Sequence, residues 1–495
     1  MRHVRSIALV LLAACAGNGR YVAPPSVTAP YTGAAESHSV GDTHVSYGIN
    51  AWTETAKDNL STFAADVDTA SYTYARRALL GGTLPPPASV RVEELVNAFA
   101  YRFPQAKDGS PFSVVMDAAP SPLAPGHHIL RVGIATPPKS AAERKTANLV
   151  FLVDVSGSMG TPDKIGLAKQ ALELLLANLR ESDTVSLVTY AGSTRVVLPA
   201  TRVENRGKIL EAIRGLDTGG STAMGSGLDL AYQQAIESMR PGTISRVIVL
   251  SDGDTNVGPT SHDEILRIIE SRVKAGVTLS TIGFGMGNYR ADLMEQLGNR
   301  GNGNNYYIDS LAAAKKLFGA NLASVLEVAA KDAKLQVELD PQVVARYRLL
   351  GYENRNIADR DFRKDDVDAG EIGVGHQVTA LYEVQLHAGA PTMPLGSVRI
   401  RHKQPDGVTA AEHTYAMAAP PAPTFAAASD DFKFAFAVAS FGDMLRGAED
   451  ARGWSLDHAI EVAHAAAGDD PDRRELVALM HEARSLRGAK TTVAR

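Results

Sequence analysis

Apolar residues recur at two different spacings along the chain, and the spacing divides the sequence into helical and extended parts. Helical spacing is present over residues 70–80 and 90–99, with three consecutive prolines between the two runs. Period-2 alternation follows over residues 112–116 and 130–134, which is typical of β-strands. The first part of the folded chain is therefore predicted to contain helices followed by strands.

The pattern changes over residues 148–318, where short apolar runs alternate with amphipathic helices. The predicted strands are residues 149–155, 185–190, 247–250 and 278–284. The helix after the first strand has one apolar face, formed by Ile165, Ala168, Leu172, Leu175 and Leu179. Strands that alternate with helices indicate a parallel sheet covered on both faces. This segment is therefore predicted to be a doubly wound α/β domain.

Strands return after residue 329, with alternation over residues 335–339, 378–386 and 398–400. Strands thus precede and follow the α/β segment. We favour one β-sandwich into which the α/β domain is inserted, because insertion is tolerated at loop tips, and two separate small β domains are the alternative. The C-terminal part is predicted to be helical, with one face formed by Phe434, Ala437, Val438, Phe441 and Leu445 and another by Leu476, Leu479, Met480 and Ala483.

Length and composition set the domain organisation and exclude one class of partner. A chain of 495 residues suggests about three domains. We expect an export signal over residues 1–15, a flexible tether over 16–52, a helical and β region over 53–147, the α/β domain over 148–325 and a β plus helical region over 326–495. The formal net charge of -5 gives no basic surface for nucleic acid, so no nucleic-acid partner is expected.

The N-terminus has the features of an export signal. Arg2, His3 and Arg5 precede an apolar run over residues 7–14, which is far shorter than the ~20 residues that span a bilayer. Cys15 is the single cysteine of the chain, so it cannot form an intrachain disulfide.

The four residues that end at Cys15, with the sequence LAAC, resemble the lipobox of bacterial lipoproteins. The resemblance implies cleavage before Cys15, acylation of that residue and a lipid anchor in the cell envelope. Ala16 follows where Asp would retain a lipoprotein in the inner membrane, so the resemblance implies the outer membrane, on its periplasmic or surface face. A signal peptide with an incidental cysteine is the alternative.

Oxygen-bearing side chains follow two of the predicted strands and a glycine-rich loop. Asp154, Ser156 and Ser158 alternate where the first α/β strand ends, Thr222 lies in the loop GGSTAMG, and Asp252 follows a buried strand in the turn LSDG. Ligands of open α/β sheets bind outside the carboxyl ends of the strands, where these residues are expected. Hydroxyl and carboxylate oxygens select Mg²⁺, Mn²⁺ or Ca²⁺ over zinc or copper. A polar strand-end turn is the alternative.

This set and its order resemble the metal-ion-dependent adhesion site of von Willebrand factor A (VWA) domains. The resemblance implies that Ser156, Ser158 and Thr222 bind one divalent cation, Mg²⁺ first and Mn²⁺ or Ca²⁺ as alternatives, through their hydroxyls. It implies that Asp154 and Asp252 act mainly through water. The sixth position is left for an Asp or Glu carboxylate of a protein partner.

A wider resemblance extends beyond the α/β segment. Residues 62–77, 90–104, 351–355, 368–383 and 434–446 are similar to the bacterial VWA lipoproteins called YfbK-like. Members of that family have their own N- and C-terminal regions around the VWA domain. The resemblance narrows the function to the interaction class.

Other polar residues are expected to have structural roles. Asp254 and Asn256 lie beside the predicted metal site and are interpreted as a solvated turn. Asp66 and Asp68, which precede the first helix, are interpreted as caps rather than metal ligands. His376 is interpreted as a buried histidine whose hydrogen bonds are satisfied.

No catalytic motif of the metalloprotease, α/β-hydrolase or P-loop type occurs in the chain, so we expect no enzyme. The sequence predicts an adhesion or interaction module of the cell envelope. A metal-dependent scaffold or chaperone for an envelope complex is the alternative, and a hydrolase that uses the metal to activate water is the third hypothesis.

Overall fold

The computed structural model describes residue 42 and residues 44–493, except for residues 66–67, 107–109, 124, 141, 221–223, 254–261, 287–288, 321, 368 and 449–454. Several residues singled out from the sequence lie outside the described residues, namely Cys15, Asp66, Thr222, Asp254 and Asn256. In the part of the chain that is described, no helix has the length and apolar character needed to span a membrane.

The N-terminal region contributes four strands and two helices. They are β1 (Thr53–Glu54), β2 (Leu60–Ala64), α1 (Ala70–Leu80), α2 (Val92–Asn97), β3 (Ser113–Pro120) and β4 (His127–Ala135). The end of the segment predicted as a tether is bound to a strand of the C-terminal region. The Asn50 side-chain amide donates to the carbonyls of Leu349 and Gly351 at 3.1 and 2.7 Å, so ordered chain begins before β1.

The α/β domain contains strands that alternate with helices, apart from one hairpin. Its elements are β5 (Ala147–Asp154), α3 (Leu167–Asn178), β6 (Thr184–Tyr190), β7 (Thr194–Arg202), α4 (Arg206–Arg214), α5 (Met224–Ser238), β8 (Ile244–Ser251), α6 (His262–Lys274), β9 (Val277–Phe284), α7 (Ala291–Arg300), β10 (Asn305–Ile308), α8 (Leu311–Lys315) and α9 (Leu322–Leu326).

The six strands of this domain form one sheet in the order β10-β9-β8-β5-β6-β7. Apolar residues of α3 and α4 cover one face, and those of α5, α6 and α7 cover the other, which confirms the predicted doubly wound fold. The sheet is not wholly parallel, because β7 is antiparallel to β6. The connection between them spans only residues 191–193, which is too short for the crossover that parallel strands need.

The C-terminal region returns to strands and then to helices. Its elements are β11 (Val328–Leu339), β12 (Val344–Leu350), β13 (Gly370–Gly373), β14 (Gln377–Leu386), β15 (Gly396–Lys403), β16 (Ala410–Ala416), α10 (Asp430–Arg446), α11 (Leu456–Ala467) and α12 (Pro471–Val493).

Strands from both sides of the α/β domain pair with each other. One sheet has the order β1-β12-β14-β4-β3, and the other has β13-β11-β15-β16 with β2 also paired to β11. Val132 of β4 lies opposite Ala380 of β14, and Ser61 of β2 lies opposite Val337 of β11. Val132 and Val337 belong to one buried core between the two sheets. The α/β domain is therefore inserted between β4 and β11 of a single sandwich.

The terminal helices pack together as a third layer. Residues of α1 and α2 share one buried core with α10, α11 and α12. The predicted apolar face of α10 is buried, and so are its other faces, because every residue from Phe434 to Leu445 is buried. A helix buried on all sides has no polar face. Close packing against α2 explains part of this burial, since a Cβ at Gly442 would lie 3.2 Å from Cγ2 of Val92.

The buried Glu93 of α2 makes the fold sensitive to pH. Burial, and then the nearby Glu353 carboxylate, raise the pKa of Glu93 from 4.5 to about 7. Its Oε2 atom has no hydrogen-bond partner among the described residues. Because the pKa is raised in the folded state, the protonated acid is the form that the fold favours. The contribution of protonated Glu93 to the stability of the fold is complete at acidic pH and is lost as the pH rises through about 7.

We predict that Glu93→Gln raises the melting temperature at pH 8 and changes it little at pH 5. The amide stays neutral, so it avoids a penalty at pH 8 that is on the order of 3 kcal/mol. Thermal denaturation followed by circular dichroism at the two pH values measures the effect. The matched control is Glu211→Gln at an exposed position of α4, for which no pH-dependent difference is expected. An equal effect of Glu93→Gln at both pH values contradicts the prediction.

Candidate metal centre

The candidate centre lies where the strand order of the α/β sheet reverses. The chain moves from β5 to β6 on one side, and β8 pairs with β5 on the other. Asp154 is the last residue of β5, and Asp252 follows Ser251 at the end of β8. Both carboxylates are fully buried. Parallel pairing of the two strands thus places the carboxylates side by side at the switch point, where open α/β sheets bind ligands.

The Asp154 carboxylate is fixed by three hydrogen-bond donors. The backbone N–H of Ser156 donates to Oδ1 at 2.9 Å, and the hydroxyls of Ser251 and Tyr190 donate to Oδ2 at 2.9 and 3.1 Å. Burial raises the pKa of Asp154 to about 6, the hydrogen bonds from Ser156 lower it, and the nearby charge of Asp252 raises it. The carboxylate is therefore held in one orientation in a site that disfavours isolated negative charge.

The hydroxyls of Ser156 and Ser158 lie beside this carboxylate. Their Oγ atoms are 3.1 Å apart. Adjacent ligands of an octahedral Mg²⁺ ion, each about 2.1 Å from the metal, are about 3 Å apart, so this spacing fits two neighbouring coordination positions. Ser156 is buried, whereas Ser158 is partly exposed. The buried Met159 anchors the turn, and its N–H donates to the carbonyl of Ser156 at 3.1 Å.

The glycine-rich loop that precedes Thr222 is bound to the same turn. The N–H of Gly157 donates to the carbonyl of Gly220 at 3.2 Å, and the N–H of Gly219 donates to the carbonyl of Val155 at 2.8 Å. Gly220 has a φ of +88°, and a Cβ there would lie 3.0 Å from the backbone nitrogen of Gly192. Glycine is therefore required for this close approach. Thr222 itself lies outside the described residues.

A lysine that the sequence analysis did not identify reaches into the centre. The Nζ atom of Lys164 lies 2.9 Å from Oδ2 of Asp252, and its side chain is 8% exposed. Lys164 lies in the helical turn Pro162–Gly166 that leads into α3. A positive charge in the first turn of a helix interacts unfavourably with the helix dipole. The position of Lys164 in the sequence therefore indicated that a negatively charged group compensates it.

The structure brings together four of the predicted site residues. Asp154, Ser156, Ser158 and Asp252 lie around the switch point, and their oxygens suit a hard divalent cation. No group of three or more His, Cys, Asp or Glu side chains that could hold a metal occurs among the described residues. A cation here would depend on hydroxyls as well as carboxylates, and the Lys164 ammonium beside Asp252 departs from a pure oxygen set.

Two other interpretations of polar residues need correction. Asp68 does not cap α1, whose N-cap is Thr69 without a side-chain cap bond. Oδ1 of Asp68 instead accepts the backbone N–H of Asn305 at 2.8 Å, which links the start of α1 to β10. His376 is half-buried, and the desolvation of its imidazole lowers its pKa to about 4. Its Nδ1 has no hydrogen-bond partner in the described part of the chain, so the expectation of a fully satisfied histidine is wrong.

Three family models match the chain. The model "von Willebrand factor type A domain" matches residues 148–320, the model "von Willebrand factor" matches residues 39–131, and the model "Uncharacterized protein YfbK, C-terminal" matches residues 324–486. The first of these models covers the α/β domain and the centre described above. The other two cover parts of the sandwich and the helical layer.

Two solved structures are similar to the chain at low identity. A von Willebrand factor type A protein from Catenulispora acidiphila is 17% identical, covering 74% of this chain and 89% of that chain with a TM-score of 0.42. The ArnB paralog VWA2 from Sulfolobus acidocaldarius is 16% identical, covering 76% of this chain and 98% of that chain with a TM-score of 0.38.

Proteins from several organisms are similar to parts or most of the chain. YfbK of Escherichia coli (strain K12) is 38% identical over 455 residues, which are 86% of this chain and 78% of YfbK. Protein sll0103 of Synechocystis is 26% identical over 283 residues, covering 56% of this chain and 66% of that protein. Human inter-alpha-trypsin inhibitor heavy chain H4 is 29% identical over 167 residues, covering 32% of this chain and 17% of its own length. The chain belongs to the YfbK family of proteins that contain a von Willebrand factor type A domain.

Proposed function

We propose that the protein is a lipid-anchored component of the cell envelope whose VWA domain binds one divalent cation and, through it, a protein partner. Mg²⁺ is the ion that we expect first, with Mn²⁺ and Ca²⁺ as alternatives. The observation that carries the proposal is the convergence of Asp154, Ser156, Ser158 and Asp252 at the switch point of the sheet.

Each residue of the set has a distinct role in the proposal. Ser156 and Ser158 would hold the ion through neutral hydroxyls, and Thr222 is proposed as the third hydroxyl ligand. Asp154 and Asp252 supply the balancing negative charge. When bound, the ion supplies an electrophilic position for a carboxylate that arrives from outside. The partial exposure of Ser158 supports access from that side.

Interaction is a better explanation of this centre than catalysis. The two carboxylates are already engaged, Asp154 by three hydrogen bonds and Asp252 by the Lys164 ammonium. A general base needs a carboxylate or imidazole that can accept a proton from water within hydrogen-bond distance. We therefore propose a binding role, with the partner contributing an Asp or Glu side chain to the ion.

We predict that the wild-type protein binds about one equivalent of Mg²⁺ or Mn²⁺, and that Asp154→Asn weakens binding at least tenfold. The amide keeps the size of the side chain but removes a balancing charge. Isothermal titration calorimetry with the full chain measures both. The matched control is Asp229→Asn on α5, whose side chain is 52% exposed and lies 3.8 Å from the Arg272 guanidinium, and it should bind as the wild type does. Absence of binding to the wild type contradicts the proposal.

We predict that partner capture depends on both the ion and the loop of Thr222. Envelope extract passed over the immobilised wild-type protein should yield one or more proteins that are lost with EDTA and with Asp154→Asn. Thr222→Ala should reduce capture more than it reduces ion binding, since the sequence predicts this ligand in a glycine-rich loop rather than at a strand end. Capture that is indifferent to EDTA and to Asp154→Asn contradicts an ion-mediated interaction.

We predict that the mature protein begins at an acylated Cys15 and enters the detergent phase on Triton X-114 partitioning. The apolar run before Cys15 is too short to anchor the mature chain, so the acyl chains would provide the anchor. Mass spectrometry of the N-terminal peptide identifies the modification, and Cys15→Ala should move the protein to the aqueous phase. An unmodified N-terminus, or a Cys15→Ala variant that stays in the membrane, contradicts this prediction.

A further inference from the structure

The Lys164 ammonium forms an ion pair with a carboxylate of the candidate metal centre. Its Nζ atom is 2.9 Å from Oδ2 of Asp252, and Asp252 is fully buried while Lys164 is nearly so. A buried carboxylate needs a compensating charge, and the lysine supplies it from within the chain. One of the two carboxylates of the centre therefore already has a cation beside it.

The lysine stem lies against a glycine that leaves space for it. Gly285 follows β9 with a φ of +74°, and a Cβ there would lie 2.2 Å from Cε and 2.5 Å from Cγ of Lys164. The carbonyl of Gly285 also accepts a hydrogen bond from the Tyr307 hydroxyl, which fixes this backbone segment. A side chain at position 285 would occupy the path of the lysine, so the contact with Asp252 depends on packing along the whole stem.

The segment that carries Lys164 has an unusual backbone. The turn Pro162–Gly166 is wider than an α-helical turn, with the N–H of Leu167 directed to the carbonyl of Pro162 as well as to that of Lys164. Wide turns of this kind within helices are frequent at functional sites. Asp163, next to the lysine, forms an ion pair with Arg77 of α1, and the Asp163 side chain is 46% exposed. The turn thus connects the centre to the N-terminal helix through a surface contact.

An ammonium and a divalent cation compete for the same negative charge. Two cations in one buried centre repel each other strongly, because the interior screens charge far less than water does. A divalent ion attracts both Asp154 and Asp252, whereas the ammonium is within ion-pair distance of Asp252.

We propose that Lys164 is a tethered counter-ion that neutralises Asp252 in the ion-free protein and leaves it when a divalent cation binds. This inference rests on the proposed function of the centre. It means that Lys164 sets the affinity of the centre, since ion binding must first separate the ammonium from Asp252. It also means that the Pro162–Gly166 turn changes its contacts when the ion enters.

The first test compares ion affinity in two lysine variants of the full chain. Lys164→Met keeps the length of the stem and removes the charge, so it should bind Mg²⁺ or Mn²⁺ at least tenfold more tightly than the wild type in calorimetry. Lys169→Met is the matched control, because its ammonium donates to the carbonyl of Arg214 on the surface of the same domain. Unchanged or weaker binding by Lys164→Met overturns the inference.

The second test uses the wild-type protein and does not depend on the folding of a variant. An amine-reactive ester is applied with EDTA or with Mg²⁺, and labelling of each lysine is measured by peptide mass spectrometry. Lys164 should be protected without the ion and labelled severalfold faster with it, while Lys169 should not change. Equal labelling of Lys164 in the presence of a bound ion overturns the inference.

The outcomes separate the inference from the function on which it rests. If the wild type binds the ion but Lys164 neither changes its labelling nor limits affinity, the inference fails and the proposed function stands. If Lys164→Met binds the ion and the wild type does not, the lysine occupies the centre permanently, so the displacement that we propose and the proposed ion binding by the wild type both fail. If neither protein binds an ion, both proposals fail.

Discussion

The antiparallel pairing of β4 with β14 is the constraint on which the rest of the architecture depends. It joins strands that are separated by the entire α/β domain, with Val132 opposite Ala380 at its middle. Such a pairing forms only after a long loop has closed, and the core between the two sheets compensates for that entropy. The α/β domain is thereby attached at both ends to one sandwich.

The two connections to the α/β domain are also bound to each other. The Glu327 carboxylate, which lies just before β11, accepts from the Lys145 N–H at 3.1 Å and forms an ion pair with Lys139. Arg144 lies on the segment that enters the α/β domain. It forms a second ion pair with Asp183, with an N–O distance of 2.6 Å, and both side chains are almost fully buried. Truncating one partner of such a buried pair leaves an uncompensated charge, so these contacts specify one position for the domain.

Helix α1 connects the parts that the chain order separates. Arg76 forms ion pairs with Asp309 of the α/β domain and with Glu475 of α12. Asp42 accepts from the Tyr74 hydroxyl and from the N–H of Tyr289 at 2.7 Å each. One helix of the N-terminal region therefore contacts both the α/β domain and the C-terminal helices. The centre at the switch point is embedded in this assembly through the turn that carries Lys164.

The sequence was most informative where local periodicity decides the structure. The central strands and α1 begin and end close to their predicted residues. Their apolar spacing in the sequence directly reflects which of their side chains are buried. The antiparallel direction of β7 was not predictable in this way, since it is a partly exposed edge strand that contains Pro199. The contact of Lys164 with Asp252 joins residues 88 positions apart, and the bond of Asp68 to Asn305 joins residues 237 apart. Contacts of this range depend on the packing of whole elements, which a local pattern does not contain.

The placement of the centre has a mechanical consequence. The centre lies at the carboxyl edge of β5, while the chain enters that strand from the segment held by Glu327 at the opposite edge. A partner that bound the centre as we propose and pulled against the rest of the protein would load β5 along its length. The hydrogen bonds that join β5 to β6 and β8 lie across that pull, so they are loaded in shear and must break together rather than one after another.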